Sequence, residues 1–276
     1  MPVIHDRSDV ARILDDPDWR VPEAAPGTSP FERLRNEASR FVNGPAHDER
    51  RAVLEARLAE LDPARLALDA GALAREALAA GVDPSEISRR IPVRTLAAAL
   101  GVANPESAPE NAAMLAGPYA SGIVDVADES RVDVAAERLV GASASACRPE
   151  LDAQLLVQAH AATNGLITSV LRRAVAATDA TTAELIDAAL RDTPPVTATR
   201  RVASSDERST PSDQAPAPHD ADRLVELRLD GPDRDAAPGA PPRLLAFGAG
   251  VRRCPASAHA VAIATGVVDA LREPAC

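Results

Sequence analysis

Phe247-Gly248-Ala249-Gly250-Val251-Arg252-Arg253-Cys254-Pro255-Ala256 stands near the C-terminus and is followed by an apolar run at helical spacing. One cysteine leaves a glycine-rich turn directly ahead of a helix start. Glycines let backbone approach a flat ligand closely, and a helix N-terminus stabilises negative sulfur. Pro255 falls where a first helical residue is expected. The arrangement suits presentation of a single thiolate to a metal. A buried cysteine in an ordinary turn is the plain alternative.

The remaining composition narrows the function classes. At 276 residues the chain is long enough for one large domain, and a net charge of -11 leaves no basic excess for nucleic acid. The chain has no lysine, so arginine supplies every cationic side chain except histidine. The three cysteines, Cys147, Cys254 and Cys276, are too few and odd for a disulfide framework. MPVIHDRSDVARIL has neither a signal-peptide core nor a membrane span, so a cytoplasmic location is expected. Only Trp19, Phe31, Phe41, Tyr119 and Phe247 are aromatic, and the core must be built from Ala, Leu and Val. Cys254 and His259 are five apart, while His160 and His219 lie far off, so no Cys/His zinc spacing exists. FGAGVRR lacks a third phosphate-binding glycine, and no nucleophile elbow is present.

Helical signals dominate the pattern. Ser8-Asp9 caps a segment through Leu14, and Pro17 breaks the chain after it. HDERRAVLEARLAEL places Val53, Leu54, Leu58 and Leu61 on one face, and Asp62-Pro63 ends it. Further helices are expected up to Gly81, from Asp83 to near Gly101, and over 108–117, 129–141, 150–174 and 181–191. Residues 203–243 turn to Ser, Asp, Pro and Ala, interrupted only by the strand-like LVELRLDG. Those stretches, 204–220 above all, are expected to be mobile. Residues 1–276 are expected to form a single domain, with the cysteine loop and its helix at 244–272.

The loop resembles the Phe-x-x-Gly-x-Arg-x-Cys pattern of the cytochrome P-450 family, and the resemblance runs in order along the chain. It implies a mainly α fold, truncated here, with small β elements and a long proline-rich loop region. It also implies a b-type haem ligated by Cys254, with Phe247, Gly248 and Gly250 shaping the loop. PAHDERRAVLEARL resembles the family helix whose His and Arg reach the haem propionates, here His47 and Arg51. RDTPPVTATRRVA resembles the stretch bearing a later propionate arginine, here Arg201, and Arg252 is the fourth such group. Two buried carboxylates need charged, hydrogen-bonded partners.

Two departures are visible. Ala159, His160, Ala161 and Ala162 stand where the family's Ala-Gly-x-Asp/Glu-Thr would lie, with alanines for acid and hydroxyl. His160 or Thr163 would have to take over proton delivery. The Glu of Glu-x-x-Arg is Ala188, though Arg191 survives beside Asp187, and a buried arginine without its carboxylate is a stability problem. The resemblance thus implies a bacterial haem-thiolate monooxygenase or peroxygenase-like oxidoreductase of secondary metabolism. It would act on a small-molecule substrate with a ferredoxin or flavoprotein donor, or with peroxide chemistry. The alternative is a catalytically silent relative serving a biosynthetic enzyme such as a glycosyltransferase.

Overall fold

The computed structural model describes residues 1–145, 147–204 and 224–273. Most of the 204–220 stretch expected to be mobile lies outside them. Helix starts follow the punctuation of the sequence. Asp62 and Asp83 cap α4 (Pro63–Ala79) and α5 (Pro84–Ala99), each accepting a backbone N–H two residues on, with proline at the first helical position. Ser29 with Glu32 and Thr181 with Glu184 form capping boxes on α2 (Pro30–Glu37) and α9 (Thr182–Asp192). The first helix, α1 (Arg7–Asp15), is capped by Asp6 rather than Ser8; Ser8 donates to the Asp6 carboxylate instead. Helix α2 is signalled in the sequence by Ser29, Pro30 and Glu32 at its start rather than by an apolar stripe, and it is absent from the helices expected above because eight residues carry few turns.

The other helices are α3 (Gly44–Ala59), α6 (Ala108–Ser121), α7 (Glu129–Gly141), α8 (Pro149–Ala176) and α10 (Ser257–Arg272). At 28 residues α8 is the longest element described, about 42 Å end to end. Its inward residues Leu151, Leu155, Leu156, Leu166, Ile167 and Val170 are buried in the main core, with α5, α6, α7, α9 and α10 packed around it. Leu and Ala dominate this core because ordinary helix formers must also fill it. Four short strands make one sheet in the order β1-β4-β3-β2, comprising Val3–Ile4, Leu224–Arg228, Ala198–Ala203 and Trp19–Arg20. β1 runs parallel to β4, while β3 is antiparallel to β4 and β2, with Thr199 opposite Leu227. Val10 and Leu14 of α1 cover the sheet, burying Val225, Leu227 and Leu229.

Two fixings set the last helix in place. Gly71 of α4 and Gly266 of α10 meet backbone to backbone, and a Cβ on Gly266 would come within 2.0 Å of the Ala67 carbonyl oxygen. His259 donates from Nε2 to the Leu58 carbonyl of α3 at 3.0 Å. His259 is therefore a core histidine that ties two helices.

The missing glutamate of α9 is handled differently from expectation. Arg191 pairs with Asp187 one turn earlier at 2.9 Å and donates to the Pro242 carbonyl at 2.9 Å. It is only part-buried, so it carries no unpaired charge into the core. Arg7, 2% exposed, donates to three main-chain carbonyls: Gly231 at 2.7 Å, Arg243 at 2.9 Å and Arg191 at 2.6 Å. One guanidinium thus joins α1, the end of α9 and the segment leading to the cysteine loop.

Gly266→Ala tests the helix contact. Helix propensity favours alanine by about 1 kcal/mol, but an immovable carbonyl at that distance makes overpacking, about 1–3 kcal/mol, the larger effect. Urea unfolding should show a lower midpoint at unchanged slope. A higher midpoint would show that α4 and α10 separate freely.

Candidate functional site

The cysteine loop is closed by its own backbone. The Cys254 N–H donates to the Phe247 carbonyl at 2.8 Å, and a short 3-10 turn, Gly250–Arg252, lies between them. Gly248 and Gly250 have φ of 69° and 62°, which side chains rarely tolerate. A Cβ on Gly250 would also meet the Leu14 carbonyl oxygen of α1 at 2.5 Å. The glycines are therefore fixed by backbone geometry as well as by the resemblance. Phe247 and Ala256 from the loop, and Ala159 from α8, pack against the same core.

Cys254 is part-buried, and burial pushes its thiol upward. The Ala256 N–H, donated at the head of α10, opposes that effect, as do the charges of Arg51 and Arg253. The residue is thus a neutral thiol poised among groups that favour its anion, the condition in which a cation would displace the proton. Among the described residues no cluster of three or more His, Cys, Asp or Glu could hold a metal ion. A metal bound at the loop would take Cys254 as a single protein ligand.

The four residues assigned to carboxylates divide into two kinds. Arg201 is 5% exposed, and among the described residues it donates to Thr199 Oγ1 at 3.1 Å and the Arg200 carbonyl at 2.9 Å. Burial pushes it down to about 10, and the other charges acting on it are two further arginines, Arg252 and Arg40. Arg252 donates to the Val42 carbonyl at 2.7 Å and to Asn43 Oδ1 at 2.9 Å, neutral partners both. Arg51, by contrast, is already paired with Glu55 at 2.6 Å. His47 is buried, with Nδ1 donating to Asp48 Oδ1 at 3.0 Å; burial and then the Arg252 and Arg51 charges hold it neutral.

Arg40 carries no signal in the sequence. It lies in the 3-10 turn Ser39–Phe41, outside every motif of the chain, and only its proximity to Arg201 in three dimensions reveals it. Among the described residues, Arg40, Arg201 and Arg252 are a group of cations with no acid bonded to any of them. Burying charge of this kind, as at Arg201, is costly without a partner. A haem, with two carboxylates beside an iron that takes a thiolate, matches both the cations and the lone sulfur. The donor set fits the group.

His160 and Thr163 both lie on α8. Among the described residues neither buried ring nitrogen of His160 has a partner, burial holds the ring neutral, and the charge acting on it is Arg89 of α5. None of the guanidiniums near Cys254 is among its neighbours in charge. Thr163 is 2% exposed.

No protein-family model and no curated protein matches the chain. Solved structures do. P450BioI in complex with an acyl carrier protein ligated by hexadec-9Z-enoic acid is 17% identical, with TM-score 0.71 over 98% of this chain and 84% of that one. CalO2 is 15% identical with TM-score 0.75, over 98% and 82%. The thermophilic cytochrome P-450 from Sulfolobus tokodaii is 16% identical with TM-score 0.67, over 97% and 85%. Helices packed around a long central one, a small mixed sheet and a closed cysteine loop before the last helix give this chain the cytochrome P-450 fold.

Proposed function

We propose that the chain is a haem-thiolate oxidoreductase of bacterial secondary metabolism, acting on a small-molecule substrate. The observation that carries this reading is Arg201, buried beside Arg252 and Arg40 with no carboxylate bonded to any of them among the described residues. Cys254 would hold the iron of a b-type haem, and Arg201, Arg252 and His47 its carboxylates, with Arg51 adding charge from its pair with Glu55. Haem supplies the activation of oxygen or peroxide that side chains cannot. The chain supplies a clamp for it, a sulfur ligand steadied by the Ala256 N–H, and a helix, α8, across the core.

The proton-handling groups differ from the family pattern by less than the paired alanines suggest. Counted residue by residue from Ala159, the five-residue Ala-Gly-x-acid-Thr pattern ends on Thr163. The hydroxyl is kept, and it is buried. The acid position is Ala162 and the glycine position is His160. Proton delivery to the reacting oxygen therefore lacks its acid but not its alcohol. Peroxide, already reduced, needs fewer protons than oxygen with a ferredoxin or flavoprotein donor, and peroxide-driven oxidation is the favoured route. The silent-partner reading draws on the missing acid, but it gives no reason to keep Cys254 or to bury Arg201 beside further arginines.

Reconstituted protein, reduced under carbon monoxide, should show the red-shifted Soret band of thiolate ligation, and Cys254→Ala should lose it. Arg201→Ala and Arg252→Ala should each raise the haem dissociation constant about tenfold or more, a charge-assisted contact being worth about 1.5–3 kcal/mol. The exposed Arg234→Ala should not. Folded protein that gives no Soret shift with haemin ends the proposal.

The neutral His47 gives a pH test. Its folded value lies below the ordinary 6.5, so it stabilises the haem-free fold above that pH, and the contribution is lost as pH falls below it. Thermal unfolding of haem-free protein should show this loss as pH falls below about 6.5, and His47→Gln should flatten it. Haem carboxylates would hold the charged ring, so the loaded protein should lose less. Identical pH profiles for loaded and haem-free protein would remove His47 from the carboxylate site.

Restoring the acid tests the relay. Ala162→Asp should raise coupled oxygen-dependent turnover by about tenfold or more, since general-acid groups contribute about 10²–10⁴, while peroxide-driven turnover changes little. Efficient coupling in the unaltered protein would mean that the alanine has no bearing on mechanism.

A further inference from the structure

Arg35, Phe41 and Tyr119 meet Arg40 where α2, the turn after it and α6 converge. Among the described residues the buried Tyr119 hydroxyl has no hydrogen-bond partner, on a residue 2% exposed. An unmade bond of this kind costs about 1–3 kcal/mol, so a partner is expected there. The charges acting on that oxygen are Arg40 first and Arg35 second. Both guanidiniums lie over the Phe41 ring, at 5.6 and 4.4 Å from its centroid, and the Tyr119 ring meets Phe41 edge-on at 5.0 Å. Among the described residues neither arginine has a carboxylate partner.

The group is held in place by other parts of the molecule. Arg35 Nε donates to the Tyr119 carbonyl at 3.2 Å, and Gly122, at φ 76°, leaves room for its guanidinium where a Cβ would come within 2.7 Å of Nη1. Ser39, next to Arg40, is tied to α8: its N–H donates to Gln154 Oε1 at 2.8 Å, and Gln154 Nε2 donates back to its hydroxyl at 3.0 Å. Burial further disfavours an isolated charge on Arg35. Two cations and a hydroxyl donor around one aromatic ring call for a small acceptor with two oxygens and an apolar body.

We propose that Arg35, Arg40 and Tyr119 form a recognition site for the carboxylate of a small apolar monocarboxylic acid. The acid's oxygens accept from the Tyr119 hydroxyl and face the two guanidiniums, and its hydrocarbon lies by Phe41. In making that acid the substrate the inference rests on the haem reading; the binding itself does not.

The test is titration calorimetry on the full chain, both haem-loaded and haem-free. The probes are straight-chain monocarboxylates from butyrate to dodecanoate, each beside its primary amide, with inorganic phosphate as a simple anion. At least one acid should bind tenfold or more tightly than its amide. Tyr119→Phe should weaken that acid several-fold, and Arg35→Gln should remove the preference over the amide. Among the described residues Arg40 makes no hydrogen bond that folding needs, so Arg40→Gln gives the same test if Arg35→Gln fails to fold. Arg33→Gln, on the same helix and solvent-facing, should change nothing. Equal binding of acids and amides overturns the inference, as does phosphate matching the best acid. So does a preference that survives both arginine substitutions. An acid preference without any Soret band would sink the haem reading alone, and a normal haem spectrum without acid preference would sink this one alone.

Discussion

The position of Cys254 depends on how tightly α10 is held, because the loop that bears the sulfur is continuous with that helix. Two helices whose main chains touch at Gly71 and Gly266 have no side chain between them to yield. Close-packed contacts of this kind do not deform gradually. The His259 bond to the Leu58 carbonyl adds a directional tie to α3, the helix that carries His47 and Arg51. The sulfur and two of the residues assigned to carboxylates are thereby referred to one rigid group of helices. Arg201 comes from the sheet, so the residues proposed to hold haem are drawn from both parts of the fold.

Charge is distributed unevenly against the overall balance. The chain is acidic, yet among the described residues Arg35, Arg40, Arg201 and Arg252 have no acid bonded to any of them, and three of the four are at least partly buried. Many other arginines form ion pairs within three or four residues along a helix, such as Arg51–Glu55, Arg65–Asp69 and Arg191–Asp187. Local pairs are worth little at the surface, and with 41 acidic residues against 30 arginines the absence of an acid at Arg201 among the described residues is a matter of placement rather than of supply. Arg7, also buried without an acid bonded to it among the described residues, is answered by three carbonyls, whereas Arg201 has further arginines as the charges acting on it. Guanidinium cannot escape this by losing its proton, which makes the pattern more telling than it would be with lysine.

Much of the fold was legible because its punctuation is local. Asp62-Pro63, Asp83-Pro84 and the Thr181–Glu184 box each fix a helix start within a few residues. The cysteine loop was legible because glycine, arginine and cysteine each have a separate physical reason to be there. The sheet was harder: β1 and β2 have two residues each, too short for alternation to register, and their partners lie some two hundred residues away. Arg40 and Tyr119 stayed hidden because their meaning comes from neighbours in space. The expected instability at Arg191 did not arise, since Asp187 sits one helical turn before it, a spacing the sequence does display.

Arg7 reaches carbonyls at separations of 184, 224 and 236 residues. Contacts of such range form late, because the loop they close must first be paid for in chain entropy. The segment that feeds the cysteine loop is therefore fastened only after nearly all of the chain has been made and α9 has docked.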